Sequence, residues 1–355
     1  MRLVPVLPCL VSLLVSMPVA AQEYDHQRLM YFLDHKGVEH PIKEAEHWTV
    51  RRKAILKGME AAMGEVPSWA GLPALDIRVV ETIQTERYRR QKITYAAEKG
   101  DRVPAYLYLP KGRRDGGKLR PAMLALHPTS PLGKGVVDGQ SQLPNRAYAK
   151  ELAERGYVVL APDYPPFGGY KGYDFSKDRY LSATMKGIFN HMRGVDLLVE
   201  RDDVDPNRIG VIGHSLGGHN AIFVAVFDQR LKVIVTSCGW TPFHDYYGGK
   251  LAGWAQETYM PRLRSQYGLD PDKVPFDFYE LVAALAPRAF FTNSPLKDDN
   301  FAVAGVQKAI PAARKVYDLH HAGGKLVARY PDAGHDFPPE VREEAYEFIA
   351  KALAK

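Results

Sequence analysis

Apolar positions change their spacing twice along the chain. Between about 22 and 75 the chain is polar, and the stretch HWTVRRKAILKGMEAAMG places Ile55, Met59 and Met63 on one helical stripe with basic residues elsewhere. Gly64 then supplies a stop signal. From about Ile77 to Leu109 the period drops to two. DIRVVETIQTE, YRRQKITYAAEKG and VPAYLYLPKG read as successive strands with turns at EKGD and PKGRRDGG. Strands joined by hairpins run antiparallel.

After Arg120 continuous apolar runs alternate with helical stretches. PAMLALHP, YVVLAPD, RIGVIGH, KVIVTSCG, RAFFTNSP and KLVARYP are the runs. NRAYAKELAERG, LSATMKGIFNHMRGVDLLVER, SLGGHNAIFVAVFD, a helix near 306–320 and EVREEAYEFIAKAL lie between and after them. Strands buried on both faces read as unbroken apolar runs, which marks a parallel sheet covered by helices. The predicted fold class is therefore α/β: a mostly parallel twisted sheet with an antiparallel N-terminal start and helices on both faces. An aromatic-rich insertion at about 240–286 is read as a helical cap. The predicted organisation is residues 1–21 as a leader, 22–75 as an N-terminal helical arm, and 76–355 as the catalytic-type domain.

The leader reading comes from MRLVPVLPCLVSLLVSMPVAAQ, with an early arginine, a short apolar run broken by prolines, and small residues before Gln22. It predicts cleavage near Ala21 and a secreted or periplasmic protein with no stable membrane insertion afterwards. Cys9 leaves with the leader, so Cys238 stands alone and the mature chain has no internal disulfide. Cys238 ends an apolar run and reads as a buried small residue. The formal net charge is +6, and basic residues are interspersed with acids. No nucleic-acid surface is expected.

Polar residues gather just after the apolar runs, where ligands of parallel sheets sit: His127, Asp163, Ser215, Asp298 and His335. Gly213, Ser215 and Gly217 fit G-x-S-x-G, preceded by a strand and followed by an apolar helix. Such a turn holds a nucleophilic serine in a strained conformation and aims backbone N–H groups at the attack site. His214 and His219 flank Ser215 but leave the turn in other directions, so both are read as supporting residues. His335, on the DAGHDFP loop, is the only downstream histidine just beyond a strand, and is the expected base; His244 is the runner-up. The acid should lie after the preceding strand, in LKDDNF. Asp298 is favoured over Asp299, with Asp245 a weaker third candidate.

VDPNRIGVIGHSLGG, YVVLAPDYPPFGGY, LKDDNF and DAGHDFP together resemble the α/β-hydrolase superfamily, nearest its dienelactone-hydrolase-like and acetyl-xylan-esterase-like branch. The resemblance runs from about Arg78 to Lys355. It implies an α/β-hydrolase fold, a Ser–Asp–His triad in that chain order, and cleavage of carboxylic esters without a cofactor. The branch's acid loop D-x-N-F aligns Asp298 with the acid. One departure is LHPTS, where many relatives have His-Gly: Pro128 has no N–H to donate to an oxyanion. Leu216 is expected to supply the first oxyanion donor and Thr129 the second.

The expected substrate is a small-molecule or carbohydrate ester, with His127, Tyr164, Trp240, Tyr246 and Trp254 as candidate substrate contacts. No metal or phosphate-loop motif occurs, so no metal or cofactor is predicted. Two other functions share the motifs. One is a peptidase of prolyl-oligopeptidase type, and the other is a catalytically silent binding protein on the same fold.

Overall fold

The structure, a computed structural model, describes residues 24–112 and 119–354, so the predicted leader lies outside the described residues. The chain opens with a small antiparallel hairpin, β1 (Tyr31–Leu33) and β2 (Glu39–Pro41), followed by α1 (Ala45–Met63). The hairpin adds to the helical arm expected from sequence, because strands of three residues are too short to show an alternating pattern. The predicted stripe of α1 is buried: Ile55, Met59 and Met63 all face the core. Gly64 ends the helix at φ 101°, a conformation that favours glycine.

Three antiparallel strands follow, β3 (Arg78–Gln84), β4 (Tyr88–Glu98) and β5 (Asp101–Pro110). The alternating part then begins with β6 (Arg120–Leu126), α2 (Tyr148–Glu154), β7 (Val158–Pro162) and α3 (Ala183–Val199). It continues with β8 (Val204–His214), α4 (Leu216–Phe227) and β9 (Leu231–Ser237). The insertion carries α5 (Arg262–Ser265) and α6 (Phe278–Ala284). Then come β10 (Ala289–Asn293), α7 (Val303–Leu319), β11 (Leu326–Arg329) and α8 (Pro339–Ala352).

The nine-stranded sheet has the order β11-β10-β9-β8-β6-β7-β5-β4-β3. From β7 to β11 the neighbours are parallel, and β5 joins β7 antiparallel. The reason is visible in burial: β7 is wholly buried, as are β6 from Ala122, β8 from Ile209 and β9 from Val233, as strands covered on both faces must be. One core packs α1, α3, α4, α6 and α7 against the sheet, and a second packs α2 and α8 against its other face. No helix among the described residues is long and apolar enough to cross a membrane.

The N-terminal segment shares the first core and is tied to the insertion by charge. Arg51 is fully buried and donates to Glu280 at 2.7 Å, while its guanidinium lies 3.6 Å from the Tyr24 ring centroid. His26 Nδ1 meets the other Glu280 oxygen at 2.7 Å. Removing one member of such a buried pair typically costs about 3–5 kcal/mol, because the other charge is stranded. Burial pulls the His26 pKa down, but the Glu280 hydrogen bond and charge outweigh it and leave the value raised. A raised folded pKa makes a histidine's contribution full below its ordinary value of 6.5 and lost as pH rises through the folded value. The urea midpoint of the wild type should therefore fall on going from pH 6 to pH 8.5. His26→Gln should show a smaller fall, measured by tryptophan fluorescence; equal falls would detach His26 from this stability.

Candidate active site

Four adjacent parallel strands, β8 to β11, carry the candidate site at their carboxyl ends. Ser215 follows β8, Cys238 lies just beyond β9, Asp298 follows β10, and His335 follows β11. Ser215 sits at φ 55°, ψ −121°, outside the regions an ordinary residue occupies. Such a conformation costs on the order of 1–3 kcal/mol and persists only when the surroundings enforce it. They do so here with backbone. A Cβ on Gly213 would lie 2.0 Å from the Gly217 oxygen, and one on Gly217 would lie 2.1 Å from the Leu126 oxygen. The end of β8, the first turn of α4 and the end of β6 thus touch with no side chain between them. Ser215 N–H also donates to the Ser237 carbonyl at 2.8 Å, pinning the turn to β9.

His335 Nδ1 faces the Asp298 carboxylate, 3.0 and 3.1 Å from its two oxygens. Asp298 is buried and also accepts the backbone N–H groups of Asn300 (2.9 Å) and Phe301 (3.1 Å). Burial alone would raise its pKa, but the His335 hydrogen bond and charge and the two amides hold it below the ordinary carboxylate value. Asp299, the alternative acid, is exposed. Asp245 pairs with Lys308 at 2.7 Å, and His244 is an exposed partner of Asp272. Neither of these candidates reaches the dyad.

His335 is held from several sides. Its ring packs against Phe301 (centroids 6.1 Å apart) and against His214 (4.9 Å), the neighbour of Ser215. Its carbonyl accepts from Arg146 at 3.0 Å, and Arg146 also pairs with Asp336. Asn293 Nδ2 donates to the Asp336 carbonyl and to Ser237 Oγ, both at 2.8 Å. His214 Nδ1 meets the same Ser237 Oγ at 2.9 Å. Burial, then the Arg146 and His335 charges, push the His214 pKa far below its ordinary value, so it stays neutral. Burial lowers His219 to about 3, and its ring packs 4.6 Å from Trp254. Both flanking histidines are structural supports, as the sequence suggests.

The first residue of α4 is Leu216, whose N–H has no acceptor within the helix and lies at its electropositive end. Thr129 is exposed, its hydroxyl 3.1 Å from that of Tyr259 in the insertion. The loop between is shaped by His127, whose ring Nδ1 bonds the Pro128 carbonyl at 2.8 Å.

The five expected substrate contacts fare differently. His127 and Tyr164 are buried and stacked on each other, centroids 4.1 Å apart, and the Tyr164 hydroxyl donates to the His127 carbonyl. Trp240 is buried and donates to Thr292 at 3.1 Å. Tyr246 and Trp254 are buried against Phe301 and each other. These five form the inner face of the loops rather than an exposed binding wall. The insertion's exposed aromatic surface is instead Tyr247, whose hydroxyl donates to Asn300 at 3.1 Å, beside the acid loop, with Tyr259 partly exposed beside Thr129. A separate cavity of about 760 Å³, lined by Lys57, Glu65, Arg179, Tyr180 and Arg262, includes none of the triad candidates.

Fold and site together define an α/β hydrolase. The profile of the prolyl oligopeptidase family matches residues 145–355, more than half of the chain, and the protein belongs to that family. The chain is 28% identical over 264 residues to YtaP of Bacillus subtilis, covering 71% of this chain and 84% of that protein. It is 25% identical over 221 residues to carbohydrate esterase MZ0003 from an unknown prokaryotic organism, covering 57% and 50%. Among solved structures, a glucuronoyl esterase from Solibacter usitatus matches with a TM-score of 0.69 at 19% identity, covering 94% of this chain and 98% of that one. That likeness shows the fold. The α/β-hydrolase resemblance read from the motifs thus holds.

Asp298→Asn should lower kcat by about 10^3–10^4-fold toward whatever ester is turned over, since the amide favours the wrong histidine tautomer. A depressed carboxylate contributes stability above its ordinary value of 3.8 and loses it as pH falls through the folded value. The stability gap between wild type and variant should therefore be full at neutral pH and close in acid, by thermal unfolding across that range.

Proposed function

We propose that the protein is an exported serine esterase acting on short-acyl or carbohydrate-linked carboxylic esters. The observation that carries this reading is the His335 Nδ1–Asp298 contact at 3.0 Å, on loops beside a serine held at φ 55°. In the proposed reaction Ser215 Oγ attacks the ester carbonyl as His335 Nε2 takes its proton. The Leu216 N–H, with Thr129, stabilises the oxyanion. His335 then gives the proton to the departing alcohol, leaving an acyl-serine. Water, deprotonated by His335, releases the acid and restores Ser215. Asp298 keeps the proton on Nδ1 throughout and offsets the imidazolium charge.

A carbohydrate ester is favoured by the half-exposed Tyr247 beside the acid loop and by the Thr129–Tyr259 hydroxyl pair. A ring with a polar tip suits stacking on a sugar. Similarity to a carbohydrate esterase and to a glucuronoyl esterase points the same way. The leader-like N-terminus supports the exported part of this reading.

Membership of the prolyl oligopeptidase family keeps a peptidase as the second reading. The two are separated by one panel: acetylated xylan, uronate methyl esters, short-chain aryl esters and proline-containing peptides. Ester cleavage, reduced about 10,000-fold or more in Ser215→Ala, is expected. Amine release from the peptides with esters untouched would select the peptidase, and equal rates in wild type and variant would remove Ser215 from the chemistry.

A further inference from the structure

Beyond β8, β9, β10 and β11 stand Ser215, Cys238, Asp298 and His335, in the order in which the strands lie. The proposed reaction uses three of them. Cys238 is the fourth, buried, at φ 48° directly after β9, with Sγ 3.1 Å from the carbonyl of Asp336, the residue next to His335. Its sulfur, a carboxylate oxygen of Asp298 and a ring nitrogen of His335 all lie within 4.8 Å of one another.

We propose that these three side chains form an inhibitory site for a soft divalent cation, zinc or cadmium, seated where the His335–Asp298 hydrogen bond lies. Thiolate, imidazole and carboxylate are the ligands such ions take, at roughly 2.0–2.3 Å. Tetrahedral ligands at those lengths stand about 3.3–3.7 Å apart, so closing around an ion requires side-chain movements on the order of 1 Å. Thiolate and carboxylate together neutralise the ion's two charges, which is what a buried cation requires. His335 is partly exposed, leaving a fourth position for water.

Binding is a ligand exchange without redox. Cys238 releases its thiol proton to solvent and its sulfur bonds the metal. Nδ1 of His335 bonds the metal through its lone pair, and the ring's single proton moves to Nε2. Asp298 gives up the histidine hydrogen bond and bonds the metal, keeping its two backbone N–H donors. Nε2 then has no lone pair with which to take the Ser215 proton. Inhibition, unlike binding, rests on the reading of His335 as the base.

The test is a cadmium titration of the purified protein with two readouts, the ultraviolet cadmium–thiolate charge-transfer band and ester hydrolysis. A 1:1 band is expected, with inhibition at the same midpoint, reversal by a chelator, and no effect of magnesium. Cys238→Ala should lose the band and need at least about 10-fold more cadmium for half-inhibition, relative to its own metal-free rate. Cys238→Ser, which keeps a small polar side chain, should do the same if alanine disturbs folding. No band in the wild type, a band without inhibition of an active enzyme, or unchanged sensitivity in both variants would overturn the proposal. A protein that binds cadmium through Cys238 yet cleaves no ester would instead count against the esterase reading alone.

Discussion

The site depends on one close approach. The first turn of α4 lies against the ends of β8 and β6 with backbone touching backbone at Gly213 and Gly217, where even a methyl group would stand about 2 Å from a carbonyl oxygen. That contact holds Ser215 in its unusual conformation, at φ 55°. It also brings the electropositive N-terminal end of α4 against the Leu126 and His127 carbonyls at the end of β6. Strain at the serine is thus held by packing on three elements at once, and no single hydrogen bond sustains it.

A second layer fixes the histidine. The loop after β11 has little regular structure, so its position is set by contacts from elsewhere. Arg146 grips the His335 carbonyl and Asp336 from one side, and Asn293 reaches Asp336 from β10 on the other. Phe301, two residues beyond Asp299, packs on the imidazole while its own N–H binds Asp298. The acid loop therefore both orients the ring and buries one of its faces. Ser237, bonded to Asn293 and His214, links this arrangement to the strand beside the nucleophile.

Much of this was legible in the sequence, for physical reasons. Unbroken apolar runs such as PAMLAL and RIGVIG fix buried parallel strands, and the polar residue after each run lands at the same end of the sheet. The motif around Ser215 and the DDNF and GHDF loops then identify three side chains that follow β8, β10 and β11 at one end of the sheet. What stayed hidden were directions rather than elements. Tyr246 and Tyr247 are neighbours of identical chemistry, yet one is buried and the other half exposed, because an irregular insertion has no period from which to read a face. His127 and Tyr164 follow apolar runs just as Ser215 does, but they stack on each other and seal the interior. Arg146 and Asn293 carry no motif, and their roles arise only from tertiary contacts to residues 190 and 43 positions away.

The central claim is that Ser215 is a nucleophile activated through His335 and Asp298. A fluorophosphonate tests it most directly, because the reagent labels activated serines whatever the natural substrate. Folded wild-type protein should gain one adduct, located by peptide mass spectrometry on Ser215. Asp298→Asn should label far more slowly, and heat-denatured protein not at all. An unlabelled Ser215 in folded protein, or an adduct on another serine, would contradict the claim.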